Sequence, residues 1–195
     1  MYIRMMRYNA ALTVNDTFLE WFLNLAIMVE EQVMSAKIAL QDLCLPEGMC
    51  YGCGSANPDG LHIKSYWSAD GQTVVARFEP QAKFTSGFKD ALYGGLVASL
   101  IDCHSNWTAM AFGYKAEGRE PGTLPLILSV TGSLGVKYLK PTPLDQTIHL
   151  RAWVEGEVGR KTRVICELGT ADVVTATGDS VFVRVDPERI LSATD

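Results

Sequence analysis

The spacing of apolar positions changes twice along the chain. From Leu61 onward apolar and polar residues alternate, with Leu61, Ile63 and Trp67 set against His62, Lys64 and Tyr66. Asp70-Gly71 is a hairpin turn signal ahead of Val74, Ala76 and Phe78, so two strands are predicted here. The period then lengthens to that of a helix. At about 100° per residue, Leu96, Leu100, Cys103, Trp107, Met110 and Tyr114 fall on one flank, and Val97, Ile101, His104, Thr108 and Phe112 on the other. Four strand-like runs follow, at 130–139, 147–158, 161–168 and 173–185, with turns at Gly159-Arg160 and Ala171-Asp172. Their short connections predict largely antiparallel neighbours. Strand, strand, long helix and four strands make an α+β fold: one curved antiparallel sheet wrapped around a helix that is apolar on two sides.

The first third of the chain reads differently. Residues 18–29 are strongly apolar but broken by Glu20 and Asn24. That run is too short for a membrane span of roughly 20 residues, and it lacks the cleavage site and unbroken core of a secretory signal. Thr17-Phe-Leu-Glu20 has the form of a capping box, which predicts a helix running towards Leu43. Residues 1–45 are therefore read as a mostly helical N-terminal extension and 46–190 as the strand-rich domain, with Met34 as an alternative start.

Composition narrows the function. A chain of 195 residues is long enough for one well-cored domain with an appendage. A net charge of −5 argues against a nucleic-acid partner, which requires a basic footprint. Five cysteines without framework spacing fit a reducing compartment, and a cytoplasmic location is expected. Cys50-x-x-Cys53 suggests metal or redox chemistry. Yet no second such pair exists, and Gly54, Pro58 and Gly60 exclude the helix that a thioredoxin-type motif needs. No metal site is expected. His62 and His149 fall on strand faces and His104 on an apolar helix flank, where structural roles are expected.

The helix carries the chemistry. Between its apolar flanks lies a stripe of Gly95, Ala98, Ser99, Asp102, Asn106, Ala109 and Gly113. A solvent face would carry Lys and Glu; this face suits close approach by another backbone or a ligand, with Asp102 at its centre. The Gly94-Gly95 pair at the helix start offers unobstructed N–H groups at the positive end of the dipole, suited to an anion or developing oxyanion.

Three motifs carry a family resemblance: Cys50-Tyr-Gly-Cys-Gly-Ser-Ala-Asn-Pro-Asp-Gly-Leu61, Tyr93-Gly-Gly-Leu-Val-Ala-Ser-Leu-Ile-Asp102 and Val136-Lys-Tyr-Leu-Lys-Pro141. Over about two-thirds of its length the chain resembles the hotdog-fold acyl-CoA thioesterases of the 4-hydroxybenzoyl-CoA and phenylacetate-pathway group. The resemblance implies a hotdog fold and an acyl-CoA substrate, hydrolysed without metal or organic cofactor. It implies Asp102 as base or nucleophile, and a glycine N–H at the helix start polarising the thioester carbonyl. Two positions depart from the pattern: Tyr93 stands where His is usual, and Gly87 where some members carry Asn. Tyr93, Thr131, Ser99 and Asn106 become candidates for substrate binding. Arg160, Lys161, Lys137 and Lys140 become candidates for the CoA phosphates.

Helix geometry adds a condition. Gly95 and Asp102 are seven residues apart, about 10 Å along one helix, too far to serve a single carbonyl. The two groups converge only if a second helix lies alongside, which predicts a homodimer, or a dimer of dimers, with composite sites. A non-catalytic acyl-CoA or acyl-ligand binding protein is the alternative reading.

Overall fold

The computed structural model describes residues 38–187; the start of the helix expected from Thr17 and the alternative start at Met34 lie outside the described residues. The expected run of that helix towards Leu43 is interrupted at Ala39, which is extended with φ −64° and ψ 149° ahead of a separate short helix. The elements are α1 (Leu40–Cys44), β1 (Lys64–Trp67), β2 (Val74–Phe78), a 3-10 turn (Ala82–Phe84), α2 (Gly94–Ala116), β3 (Leu128–Tyr138), β4 (Ile148–Val154), β5 (Lys161–Gly169) and β6 (Val174–Val185). The six strands form one sheet in the order β1-β2-β4-β5-β6-β3, every pair antiparallel.

The expected wrapping follows from period-two burial. Ile148, Leu150 and Ala152 of β4, and Val164, Cys166 and Leu168 of β5, are buried in the same cluster as Leu100, Ile101 and Tyr114 of α2. Both flanks of the helix are enclosed, so its buried face extends around most of the circumference.

The structure corrects four details of the sequence reading. First, β3 does not neighbour β4. It pairs with β6, and β4 lies between β2 and β5. The connection after Tyr138 carries Pro141 and Pro143, which lack the N–H a tight hairpin needs. It is tied down instead: the Leu139 N–H donates to the Thr175 carbonyl at 2.8 Å, and the Leu92 N–H to the Thr142 carbonyl at 2.8 Å. Second, β4 ends at Val154 because Gly156 adopts φ 87°, a left-handed conformation that breaks a strand. Third, β1 begins at Lys64. The N–H groups of Leu61 and Ile63 bond instead to the carbonyls of Tyr51 and Gly52, at 2.7 and 3.1 Å. Fourth, Leu40 and Cys44 of α1 lie in the core, so the packed unit begins before residue 46.

One irregularity positions the site. The register of β3 against β6 shifts between Thr131 and Ser133. Such a bulge switches which side chains face the helix. Before it Ser129 and Thr131 point at α2, and after it Val136 and Tyr138 do.

Candidate active site

β3 runs antiparallel to α2 along the small-residue stripe. Tyr138 meets Gly94, Thr131 meets Asp102, Ser129 meets Asn106 and Ile127 meets Gly113. The two halves of the stripe have different uses. At the C-terminal half, Ala109 and Gly113 are buried, and a β-carbon at Gly113 would stand 3.2 Å from Ile127 Cγ2, so small residues here admit the chain's own strand. At the N-terminal half, Gly95, Ala98, Ser99 and Asp102 are only half-buried.

Asp102 is held from one side. Thr131 Oγ1 donates to its Oδ1 at 2.7 Å. Burial pushes the carboxyl above its ordinary value; the Thr131 hydroxyl opposes this, and charge at Cys50 adds to it. A half-buried carboxylate with one hydroxyl partner keeps lone pairs for a water or substrate.

The helix start has no side-chain cap, and its N-cap is Tyr93. The N–H groups of Leu96 and Val97 donate to the Tyr93 carbonyl at 3.0 and 3.2 Å. Among the described residues no acceptor meets the N–H of Gly94 or Gly95. These orphan donors sit at the positive end of a 23-residue helix. The Tyr93 ring folds over Gly95 so closely that a β-carbon there would lie 2.5 Å from the ring. Tyr138 Oη donates to the Gly94 carbonyl at 2.7 Å, so two tyrosines frame the turn.

The remaining candidates divide. The Asn106 amide is committed to β3, donating to the Ser129 carbonyl at 3.2 Å and accepting from the Ser129 hydroxyl. Ser99 Oγ donates to the Gly95 carbonyl at 2.9 Å within its own helix. The four cations are not brought together. Lys161 pairs with Val183 and Lys137 with Thr177, six residues along β6 and therefore roughly 20 Å apart. Lys137 and Lys140 stand at the Gly94 end, and Arg160 and Lys161 at the far end. A cavity of about 240 Å³, bordered by Met110, Gly113, Ile127, Gly159, Phe182 and Arg184, lies at that far end.

Two of the histidines lie on the elements expected, His149 on β4 and His104 on α2, but His62 precedes β1 rather than lying on a strand face. His62 is exposed with φ 53°. His104 is fully buried, with Nδ1 2.9 Å from Ser65 Oγ and Nε2 3.1 Å from the Val74 carbonyl. Burial lowers its pKa to about 4, against a smaller opposing effect of that carbonyl, so the ring is neutral at pH 7. Gln41 completes the chain, donating to Ser65 Oγ at 3.1 Å and joining α1, β1, α2 and β2.

Sequence reasoning missed one constellation. Cys103, on an apolar flank of α2, lies with its Sγ 3.8 Å from that of Cys50. With Cys53 the three sulfurs lie within 4.8 Å of one another. The hydrogen bond between the two sulfurs lowers the Cys50 pKa to about 5 and raises that of Cys103. Periodicity assigns Cys103 to a flank but cannot say which loop crosses it.

Solved structures resemble this arrangement. A thioesterase superfamily protein from Shewanella loihica is 30% identical, with a TM-score of 0.52, over 67% of this chain and 97% of its own. A second thioesterase superfamily protein is 24% identical, with a TM-score of 0.54, over 92% of this chain and 86% of its own. A phenylacetic acid degradation-related protein from Ralstonia eutropha is 16% identical, with a TM-score of 0.50, over 64% of this chain and 86% of its own. The last two show the fold alone. No family profile matches the sequence, and no curated protein does. The chain belongs to the thioesterase superfamily and has its hotdog fold. No described helix is long and apolar enough to cross a membrane.

Proposed function

We propose that this chain is a cytoplasmic acyl-CoA thioesterase, releasing free acid and CoA. Asp102 serves as base or nucleophile, and the N–H groups of Gly94 and Gly95 receive the oxyanion. The observation that carries this reading is the half-buried Asp102 carboxylate. It is held by Thr131 on the open half of a small-residue stripe, on the helix whose first-turn donors are unmet. Hydrolysis passes through a tetrahedral oxyanion, and both required groups are present. They are separated by about 10 Å of helix, so each site takes Asp102 from one subunit and the glycine turn from another. The exposed Val130 and Leu134 on edge strand β3, beside the open stripe, support a homodimer there. Of the cations proposed for the CoA phosphates, Lys140 and Lys137 lie at the Gly94 end, with Lys137 alternating with Val136 and Tyr138 and so on the sheet face away from α2; Arg160 and Lys161 would act only from another subunit.

A second reading is a non-catalytic acyl-CoA binding protein. It is favoured by Tyr93, which stands where the family usually has His and whose ring covers Gly95. A thiol-release assay across a panel of acyl-CoAs separates the two. Turnover is expected in the native chain, and Asp102→Asn is expected to keep substrate affinity while lowering kcat by roughly 10²-fold or more. Unchanged kcat in the folded variant removes Asp102 from the mechanism. Saturable binding without turnover in the native chain supports the second reading.

A further inference from the structure

We propose that Cys50, Cys53 and Cys103 form a zinc site that clamps the loop before β1 onto α2. The expectation of no metal rested on the missing second Cys-x-x-Cys pair. The fold supplies the third thiol from the helix instead.

The geometry suits the ion. Zinc–sulfur bonds of about 2.3 Å at a tetrahedral angle put ligand sulfurs about 3.8 Å apart. Cys50 and Cys103 are separated by 3.8 Å, and all three sulfurs lie within 4.8 Å of each other. A disulfide requires about 2.05 Å, a much larger closure.

The surroundings suit thiolates. Trp107 Nε1 donates to Cys53 Sγ at 3.2 Å. N–H donors aimed at sulfur stabilise the ionised ligand and fix its direction.

The loop is built for the approach. A β-carbon at Gly52 would lie 2.3 Å from Cys103 Sγ, so a side chain here would push that sulfur out of its present place. A β-carbon at Gly54 would lie 2.4 Å from the Gly48 carbonyl oxygen. The Gly54 N–H donates to the Cys50 carbonyl at 2.7 Å and the Ile63 N–H to that of Gly52 at 3.1 Å. The turn is thus held by its own backbone hydrogen bonds.

Three soft sulfur ligands select zinc over calcium or magnesium, which prefer oxygen. Among the described residues no fourth His, Cys, Asp or Glu joins the group. Cys50 is exposed, so the fourth position opens towards solvent and takes water. Binding balances as one Zn²⁺ and three thiols giving a tris-thiolate complex of charge −1 and three released protons. Nothing here depends on the hydrolase reading.

The test uses the full chain purified under reducing, anaerobic conditions from zinc-replete cells. Elemental analysis is expected to find about one zinc per chain. Cobalt added to the metal-free chain should give a thiolate-to-cobalt charge-transfer band. Zinc should protect Cys50, Cys53 and Cys103 from iodoacetamide, leaving labelling of the buried Cys44 and Cys166 unchanged. Cys50→Ser, at an exposed position, should lower zinc affinity by at least ~100-fold. A reduced chain that takes up neither zinc nor cobalt overturns the proposal. So does a Cys50→Ser chain that keeps its zinc, or a Cys50–Cys103 disulfide in the anaerobic preparation.

Discussion

At the scale of the residue, Asp102 and Thr131 form the pair on which the proposed chemistry turns. The hydroxyl donates to one carboxylate oxygen across the gap between α2 and β3, and the β3 bulge aims it there. Thr131→Val keeps the shape and removes the donor. On the proposed mechanism it leaves Asp102 less well oriented, so kcat should fall about tenfold with KM little changed. Steady-state kinetics on the best acyl-CoA of the panel checks this, and an unchanged kcat would leave Thr131 as an ordinary strand residue. Asp102 itself was legible in the sequence, because a carboxylate amid Gly, Ala and Ser on a helix face has no solvent-side reason to be there. The commitments of Asn106 and Ser99 were not legible. Helical spacing shows which face a side chain shares but not whether its polar atoms are already satisfied by a strand or by the preceding turn.

At the scale of the element, the helix rests on the sheet at a glycine. Gly178 of β6 pairs with Cys166 of β5 and Val136 of β3. A β-carbon there would lie 2.4 Å from Ile101 Cγ2, and Ile101 is fully buried. Gly178→Ala should therefore lower the unfolding free energy by roughly 1–3 kcal/mol. Ile101→Ala removes the atom it strikes, so the double variant should be less destabilised than the two singles added together. Chemical denaturation of the four proteins measures the coupling. Strict additivity would show that the helix does not bear on this position. The existence and type of the long elements were legible because their periods are sustained. The place of β3 in the sheet was not. Nearness in sequence suggested a pairing with β4, whereas Pro141, Pro143 and the bonds from 139–144 to Thr175 and Asp90 carry the chain away from β3 to the other side of β5.

At the scale of the whole molecule, the proposed site is incomplete within one chain, and this can be tested by mixing. Native mass spectrometry should give an assembly of at least twice the 21.4 kDa chain mass. One inactive parent is Asp102→Asn. The other is Gly94→Pro, which removes a donor N–H at the first helical position, where proline's fixed φ is accepted. Tyr93 already has φ −61° and ψ 127°, a conformation allowed before proline. A β-carbon at residue 94 would meet the Tyr138 ring at 3.5 Å, an ordinary contact, so the fold should survive. If the glycine turn of one subunit faces Asp102 of the other, a mixed dimer holds one site with both defects and one with neither. Co-refolded or co-expressed chains should then recover up to about half of native turnover per mixed dimer. The same chains kept apart should each stay at least tenfold below native activity. A mixed dimer verified by mass that recovers nothing would place both groups in one chain's site, and the helical separation would have to be bridged by a water or by the substrate itself.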